Sequence, residues 1–483
     1  MPLSEDDARD VAQGLLKVRQ AECRRLDRIR DYMIGKTCRV YSPRKTTQEY
    51  RQLVKMSKVN IMPLVVSTFA ENLFVEGYRP AKSANNAKAW ELWQDNRMDQ
   101  RQSLLYRSAL TYGLSYATVL KRDGGGVLIE PYSPRQLTAV YEDPCSDEWP
   151  VYAVAVSDGY DGERRKNVQR VSLFDADWVY RFDRAADESA LMFLPDTSGA
   201  HGLPECPVVR WVNAGADLDE GAVGEVEPLI ELQDQIDNTT YGLLISQQFT
   251  AFRQRWVTGM TIEQDANGAE REPFNAGADR VFQAESVDTR FGEFAESELK
   301  GYLDSRQSTL RIISAKAQLA PHALLVSDGV SNLSAEALAA LEAAQQRKTG
   351  EQKTSFGESC EQMLRLASAA NGDMAGWEDT SAQVVWRDTE SRSLAQVADA
   401  LGKMATMLSI PPRALWERIP GVTDQDIARW EKLADREDGM DTGQPMQPSA
   451  GQMPKMPAGQ MPAGQGAPNA APNGRAARTP APA

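Results

Sequence analysis

Glu227-Pro228-Leu229-Ile230-Glu231-Leu232-Gln233-Asp234-Gln235-Ile236-Asp237-Asn238 opens the stretch on which the fold turns, a stretch that runs to Ser334. It reads helix, small β-like insert, helix, then a loop bearing glycine and proline. Pro228 sits in the first turn, where its missing N–H costs nothing. Leu229, Leu232, Ile236 and Leu243 recur at helical intervals, and Asp234, Gln235, Asp237 and Asn238 are expected on the other faces. The second helix carries Leu299, Tyr302, Leu303, Leu310 and Ile313 on one stripe, surrounded by Glu296, Glu298, Lys300, Asp304 and Arg306. Between the helices, from Trp256 to Phe291, the short runs Trp256-Val257-Thr258 and Arg280-Val281-Phe282 are separated by Asp265-Ala266-Asn267-Gly268. Stripes this narrow do not make the centre of a globular core; they pack against a few copies of something similar. The two helices are therefore expected to form a stalk whose partners are other copies of the same chain.

Working outward toward the N-terminus, residues 4 to about 34 form an amphipathic helix with Ser4 as its cap and Asp7 three residues on. Val11, Leu15, Val18, Leu26, Ile29 and Met33 mark its buried side, and Gly35 ends it. Its arginines Arg24, Arg25, Arg28 and Arg30 are read as a solvated face with acidic neighbours, in preference to a nucleic-acid contact. The Asn60–Tyr78 run reads as a mostly buried helix with Pro63 near its start and Gly77 at its exit, and helical patterns continue over 87–96 and 99–112. From Ser115 to Val212 the period changes to short β runs. Asp123-Gly124-Gly125-Gly126 lies between two of them; lacking a following Gly-Lys-Ser/Thr and a helix start, it is a hairpin turn and not a phosphate cradle. Asp175-Ala176-Asp177 offers two carboxylates, but between strands these are turn residues before they are metal ligands.

Toward the C-terminus, Lys316 to Ser334 reads as a loop with Pro321, His322, Asp328, Gly329 and Asn332. A long helix follows from Ala335 to Ala370, apolar at its two ends and polar on every side over 345–353, the profile of a helix that bridges bodies. The strand Gln383-Val384-Val385-Trp386-Arg387-Asp388 leads to a helix striped by Leu394, Val397, Leu401, Met404 and Leu408. A last helix carries Ile427, Trp430 and Leu433, with Thr423 and Asp426 as its capping signal. Beyond Gly439 the composition collapses into Pro, Gly, Gln, Ala and Met, which cannot bury enough to offset chain entropy and is expected to be disordered.

The whole chain has 483 residues, 42% hydrophobic and 25% charged, enough for a sizeable core and more than one domain. No apolar run reaches the roughly eighteen residues of a membrane span, and the acidic N-terminus is unlike a secretory signal. Cys23, Cys38, Cys145, Cys206 and Cys360 are scattered without a CxxC pair, which points to a reducing cytoplasm. The net charge of -14 argues against a repressor, nuclease or polymerase, all of which neutralise phosphates. It leaves open a channel through which DNA slides without sticking. Only two histidines occur, His201 and His322, and there is no nucleophile elbow, HExxH, Rossmann glycine motif or Walker lysine. The chain is accordingly expected not to be an enzyme and to need no cofactor or metal. The weaker option is a metal-dependent hydrolase using Glu142-Asp143-Pro144-Cys145-Ser146-Asp147-Glu148.

The order of these pieces resembles the portal (head–tail connector) proteins of tailed double-stranded DNA bacteriophages, siphophage type. The likeness is carried by the Asn60–Tyr78 helix and exit, the passage from Pro228 to Trp256-Val257-Thr258-Gly259, and the Glu298–Ile313 helix. To these belong Ala320-Pro321-His322, the opening of the long helix at Asn332-Leu333-Ser334-Ala335-Glu336-Ala337-Leu338, and Trp386-Arg387-Asp388 before Ser393-Leu394-Ala395. It covers nearly all of the chain except the tail, and lies in the order of the elements, not in one motif.

The resemblance implies an α+β, mainly helical portal fold, assembled as a closed ring of about a dozen subunits. It implies a wing over residues 1–225, stem helices over 226–255 and 293–315, and a clip over 256–292. It further implies a tunnel loop over 316–334, a long wing helix and strand over 335–388, and a crown over 389–438. Lys316, Gln318, His322, Ala323, Val326 and Asp328 would then face the DNA channel. Leu229, Leu232, Ile236, Leu243, Leu299, Leu303, Leu310 and Ile313 would pack the stem. The implied partners are the major capsid and scaffolding proteins, the terminase large subunit, the head–tail adaptor, and double-stranded DNA passing without sequence preference; no membrane is implied. The implied location is the portal vertex of the virion, after assembly in the bacterial host cytoplasm. The 439–483 tail departs from the family plan and has no assigned role. The competing reading from another class is a helical scaffold or adaptor of virion assembly that never contacts DNA.

Overall fold

The computed structural model describes residues 2–37, 40, 48–80, 87–122, 124–161, 166–185, 190–213, 221–251, 255–259, 288–293, 299–324, 335–387, 394–419, 422 and 424–440. They fall into two units, Met1–Ser391 and Arg392–Ala483, each described by itself. In the first, the Ser4 hydroxyl accepts the Asp7 amide, and Glu5, Asp6 and Asp7 fill the first turn of helix α1 (Glu5–Met33). Ala8, Ala12 and Leu15 pack on a sheet, whereas Ile29 and Tyr32 pack into the principal core. Val18, expected on the buried side, is exposed because it falls where α1 crosses from one core to the other.

The principal core gathers α3 (Met62–Ala70), α4 (Ala87–Asp95) and α5 (Met98–Tyr112), while α2 (Gln48–Met56) lies outside it. Pro63 sits in the first turn of α3, as its sequence position implies. The exit of that segment is not helical: β1 (Val75–Arg79) is a strand, and its antiparallel partner is the distant segment Gln383–Trp386. Gln102 on α5 completes the join, accepting the Val75 N–H at 2.8 Å.

Among the described residues the β-rich region forms two sheets. In the first, β2 (Leu114–Lys121) and β3 (Val127–Tyr132) make a hairpin whose turn holds Gly124, Gly125 and Gly126 at φ of 97°, 104° and 90°. That left-handed backbone is why the glycines are there. The larger sheet runs β4 (Leu137–Val140), β5 (Tyr152–Asp161), β6 (Lys166–Phe174), β7 (Trp178–Ala185) and β8 (Met192–Phe193) in order, with β9 (Gly199–Ala200) also on β7. Asp175 turns the chain between β6 and β7 by accepting the amides of Asp177 and Trp178 at 2.8 and 2.6 Å. The last strand of the region, β10 (Val208–Val212), returns to pair with β2.

A 3-10 turn over Glu227–Leu229 starts α6 (Ile230–Ala251), and the antiparallel pair β11 (Arg255–Thr258) and β12 (Arg290–Glu293) leads back to α7 (Lys300–Ala317). Gln235 and Asn238 of α6 are exposed as expected, but the two acids expected beside them are not. Asp234 and Asp237 are buried, because the Tyr32 hydroxyl donates to Asp234 at 2.9 Å and the Val59 N–H to Asp237 at 3.1 Å. A helix expected to be wet on those faces is instead pinned by hydrogen bonds to the body of the protein.

After α7 come the short α8 (Pro321–Leu324), then α9 (Ala335–Ala370), α10 (Met374–Trp377) and β13 (Gln383–Trp386). The loop expected from Lys316 therefore begins later: Lys316 and Ala317 still belong to α7. The middle of α9 also differs from expectation. Thr349 and Gln352 are buried, since that part of the helix meets the core through polar contacts and does not bridge open space. Its C-terminal half is conventional core, with Phe356 stacked on Tyr106 at 5.5 Å.

The second unit holds α11 (Leu394–Met407), a 3-10 segment over Pro412–Arg418, and α12 (Asp424–Met440). Trp416 meets Trp430 edge-on at 5.9 Å, and Arg413 pairs with Asp435 at 3.0 Å. Val397 is buried but Leu408 is exposed, because the helix stops at Met407 and Ser409, at φ 54°, turns the chain away. Of the tail expected to be disordered from Gly439, the first two residues belong to α12, and the rest lies outside the described residues. Among the described residues no helix is long and apolar enough to cross a membrane.

Candidate functional site

The α6–α7 hairpin is built around a close approach. A Cβ on Gly242 would lie 2.8 Å from Cε1 of Tyr302, so the absence of a side chain on α6 admits the ring from α7. Beside it an open cleft of about 450 Å³ is lined by Asn238, Thr239, Gly301, Tyr302 and Ser305. The eight apolar residues expected along the two helices separate by position. Leu229, Ile236, Leu243 and Ile313 are buried, Leu232 and Leu310 are half-buried against the principal core, and Leu299 is half-buried. Leu303 is 50% exposed and Ile312, nine residues on and so on the opposite side of α7, is 49% exposed, while the Tyr302 ring, 36% exposed, is partly covered by α6 at Gly242.

The residues expected beside DNA are brought partly together. Lys316 lies in the last turn of α7 and its Nζ donates to the Pro228 carbonyl at 2.7 Å, which ties the end of one helix to the start of the other. Gln318 caps α7 in the left-handed conformation, at φ 58°. The Leu319 N–H then returns to the Ser314 carbonyl at 2.9 Å, while Ser314 Oγ donates to the Leu319 carbonyl at 3.0 Å. His322 and Ala323 are half-buried on α8, and His322 Nε2 lies 3.4 Å from Glu342 Oε1. Leu324 packs against the principal core. Val326 and Asp328 lie outside the described residues.

The charged groups around the hairpin root follow a complementary pattern. Arg25 donates Nε and Nη2 to the Glu227 carboxylate at 2.9 and 2.5 Å, and this bond raises its pKa. Arg28 reaches Glu231 at 2.9 Å. These arginines of α1 thus hold the acids that begin α6. Arg25 and Arg28, three residues apart on α1, meet Glu227 and Glu231, four apart on the other segment, a contact that reading these arginines as a solvated face does not anticipate. Nor does any local signal announce the buried bonds of Asp234 and Asp237.

The acidic loop weighed for metal chemistry closes on itself. Asp143 accepts from Ser146 Oγ at 2.8 Å and from the Cys145 N–H at 3.0 Å, and the Ser146 bond holds its carboxyl below the usual range. Asp147 in turn accepts the Asp143 N–H at 2.7 Å. Among the described residues no three His, Cys, Asp or Glu side chains converge as a metal site.

Residues 14–440 match the family described as phage portal protein, SPP1 Gp6-like. The portal protein of Mycobacterium phage D29 is 27% identical over 366 residues, spanning 72% of this chain and 73% of that protein. The portal protein of Mycobacterium phage L5 is 26% identical over 373 residues, spanning 74% of each. A chain from the virion of a native gene transfer agent particle aligns with 80% of this chain and 99% of its own, at a TM-score of 0.43 and 13% identity. At that score the likeness carries no weight.

Proposed function

The chain belongs to the SPP1 Gp6-like family of phage portal proteins, and we propose that its copies close into a ring through which double-stranded DNA enters and leaves a virion. In such a ring residues 1–225 and 335–388 make the wing, 226–255 and 293–315 the stem, and 256–292 the clip. Residues 316–334 make the tunnel loop and 389–438 the crown. The hairpin of α6 and α7, joined through β11 and β12, supports the stem and clip assignments.

One observation carries the ring: apolar side chains are exposed on two opposite sides of α7, Leu303 on one and Ile312, nine residues on, on the other, as a neighbour on each side requires. A head-to-tail contact repeated about an axis covers those side chains on every copy, and closure leaves none open. The net charge of -14 supports a conduit that holds phosphates weakly. The ring sits at one vertex, assembles in the host cytoplasm with major capsid and scaffolding proteins, and meets the terminase large subunit and later a head–tail adaptor. No catalytic step is assigned to it.

The test uses the purified full chain, by light scattering and negative-stain imaging. Rings with a central hole are expected, and Leu303→Asp is expected to give a folded protein that does not close them. A stable monomer or dimer at micromolar concentration and several salt strengths would overturn the ring. Undiminished rings from Leu303→Asp would remove the Leu303 side of α7 from the contact.

A further inference from the structure

Glu342, Gln345, Lys348 and Gln352 follow one another on α9 at intervals of three and four, and so lie on one side of it. Each meets the chain where it enters or leaves the α6–α7 hairpin. Glu342 Oε1 is 3.4 Å from His322 Nε2, and Gln345 Oε1 accepts the Ala320 N–H at 3.0 Å. Lys348 Nζ donates to the Ala317 carbonyl at 3.2 Å and to the Glu225 carboxylate at 2.5 Å. Gln352 Nε2 donates to Asn213 Oδ1 and Glu225 Oε1, both at 3.3 Å. Asn213 donates in turn to Glu225 Oε1 at 3.2 Å and to the Val223 carbonyl at 3.1 Å.

Glu225 is only 7% exposed and Gln352 is fully buried. A carboxylate removed from water that far is costly unless charge and hydrogen bonds meet it. α9 supplies Lys348 and Gln352, the residue after β10 supplies Asn213, and the Phe69 ring lies 4.8 Å from Lys348 Nζ as a further partner for the cation. The Glu225 N–H is fixed separately, donating to the Leu110 carbonyl at 2.7 Å. At the other end, Ala320 presents the last backbone donor before Pro321, which has none. Gln345 takes it.

We propose that this row on α9 sets the position of the 317–322 corner and of the 223–226 entry, with Glu225–Lys348 as its charged rung. Glu342, Gln345 and Lys348 are then positioning residues for the segment placed beside DNA above. That consequence rests on the channel assignment; the row itself does not.

Hydrogen exchange on the full chain in its native assembly tests it. In Gln345→Met and in Lys348→Met, exchange in peptides spanning 317–324 is expected to rise about fivefold or more, the scale of one lost buried hydrogen bond. Peptides from β5 and β6 should not change. The double variant Glu225→Gln/Lys348→Met should lose less than Lys348→Met alone, which strands a buried carboxylate. Unchanged exchange at the corner in both single variants overturns the row. An equal rise in β5 and β6 also overturns it, since that is general loosening. If Lys348→Met does not fold, Gln345→Met and Glu342→Gln decide, because neither strands a buried charge. Packaging by phage supplied with Gln345→Met separates the two claims: a loosened corner with normal packaging supports the row and removes the corner from the DNA path.

Discussion

His201 shows how far a single side chain is specified by its neighbours. Its Nδ1 accepts the Leu203 N–H at 3.1 Å, so its proton sits on Nε2, which faces the Asp175 carbonyl at 3.2 Å. Burial pushes its pKa below the ordinary 6.5. The unfolded chain therefore takes up this proton at higher pH than the folded one. Stability from this site is full above the unfolded pKa of about 6.5 and falls as pH drops through the depressed folded value. Urea melts from pH 8 to pH 5 should show this loss in the wild type and less of it in His201→Gln, which keeps a donor and an acceptor but does not titrate. Equal slopes in the two proteins would remove His201 from the acid response. Gly224 is constrained by space instead. A Cβ there would lie 2.2 Å from the Thr111 carbonyl oxygen and 2.9 Å from the Gly113 nitrogen, both backbone atoms that cannot swing away. Gly224→Ala should cost about 2–3 kcal/mol or more, read as a lower midpoint in chemical denaturation. A change under about 0.5 kcal/mol would mean that the backbone yields there.

At the scale of elements, α6 is held by polar contacts that its own sequence does not announce. Asp237 Oδ1 accepts the Val59 N–H at 3.1 Å and a Gln233 Nε2–H at 3.0 Å, and the other end of Gln233 accepts the Ile61 N–H at 3.1 Å. Asp237→Ala strands buried donors and should destabilise by about 1–3 kcal/mol. Asp237→Asn, which retains the Oδ1 acceptor, should recover most of that. Equal losses from the two would show that charge, not hydrogen bonding, matters. The contrast with α1 and the β2–β3 hairpin explains which parts were legible. Ser4 with Asp7, and three glycines between apolar runs, are complete signals within a few residues. Asp234 and Asp237 look solvent-facing in the local pattern because their donors, Tyr32 and Val59, lie far back in the chain. β1 looks like a helix exit in the local pattern because the strand that pairs with it is 383–386. The end of α7 was misplaced by two residues because the loop signals, Gln318 at positive φ and Pro321, follow it closely.

For the whole molecule the question is whether the corner after α7 meets DNA or serves only to join helices. A chain of net charge -14 repels phosphates on average, so a channel made from it needs few cations to let a duplex slide. Lys316 and Lys348, both beside the corner, are occupied, the first with the Pro228 carbonyl and the second with the Ala317 carbonyl and the Glu225 carboxylate. Leu324 packs against the principal core, which anchors one side of α8 and favours the joining role for that residue. Ala323 is half-buried beside it, small enough that its environment is decided by what faces α8 from outside. Ala323→Lys separates the two roles. If α8 borders the channel, rings still form and each gains a girdle of about a dozen cations facing the phosphates. Contacts then strengthen at low salt, and packaging stalls, or packaged DNA is released abnormally, in an ionic-strength-dependent way. If α8 only joins α7 to α9, the lysine is forced toward apolar neighbours, and the yield of soluble ring falls while the rings that form package normally. Packaging rate and ring yield measured on the same preparations tell these apart, and normal values for both would take α8 out of the DNA path.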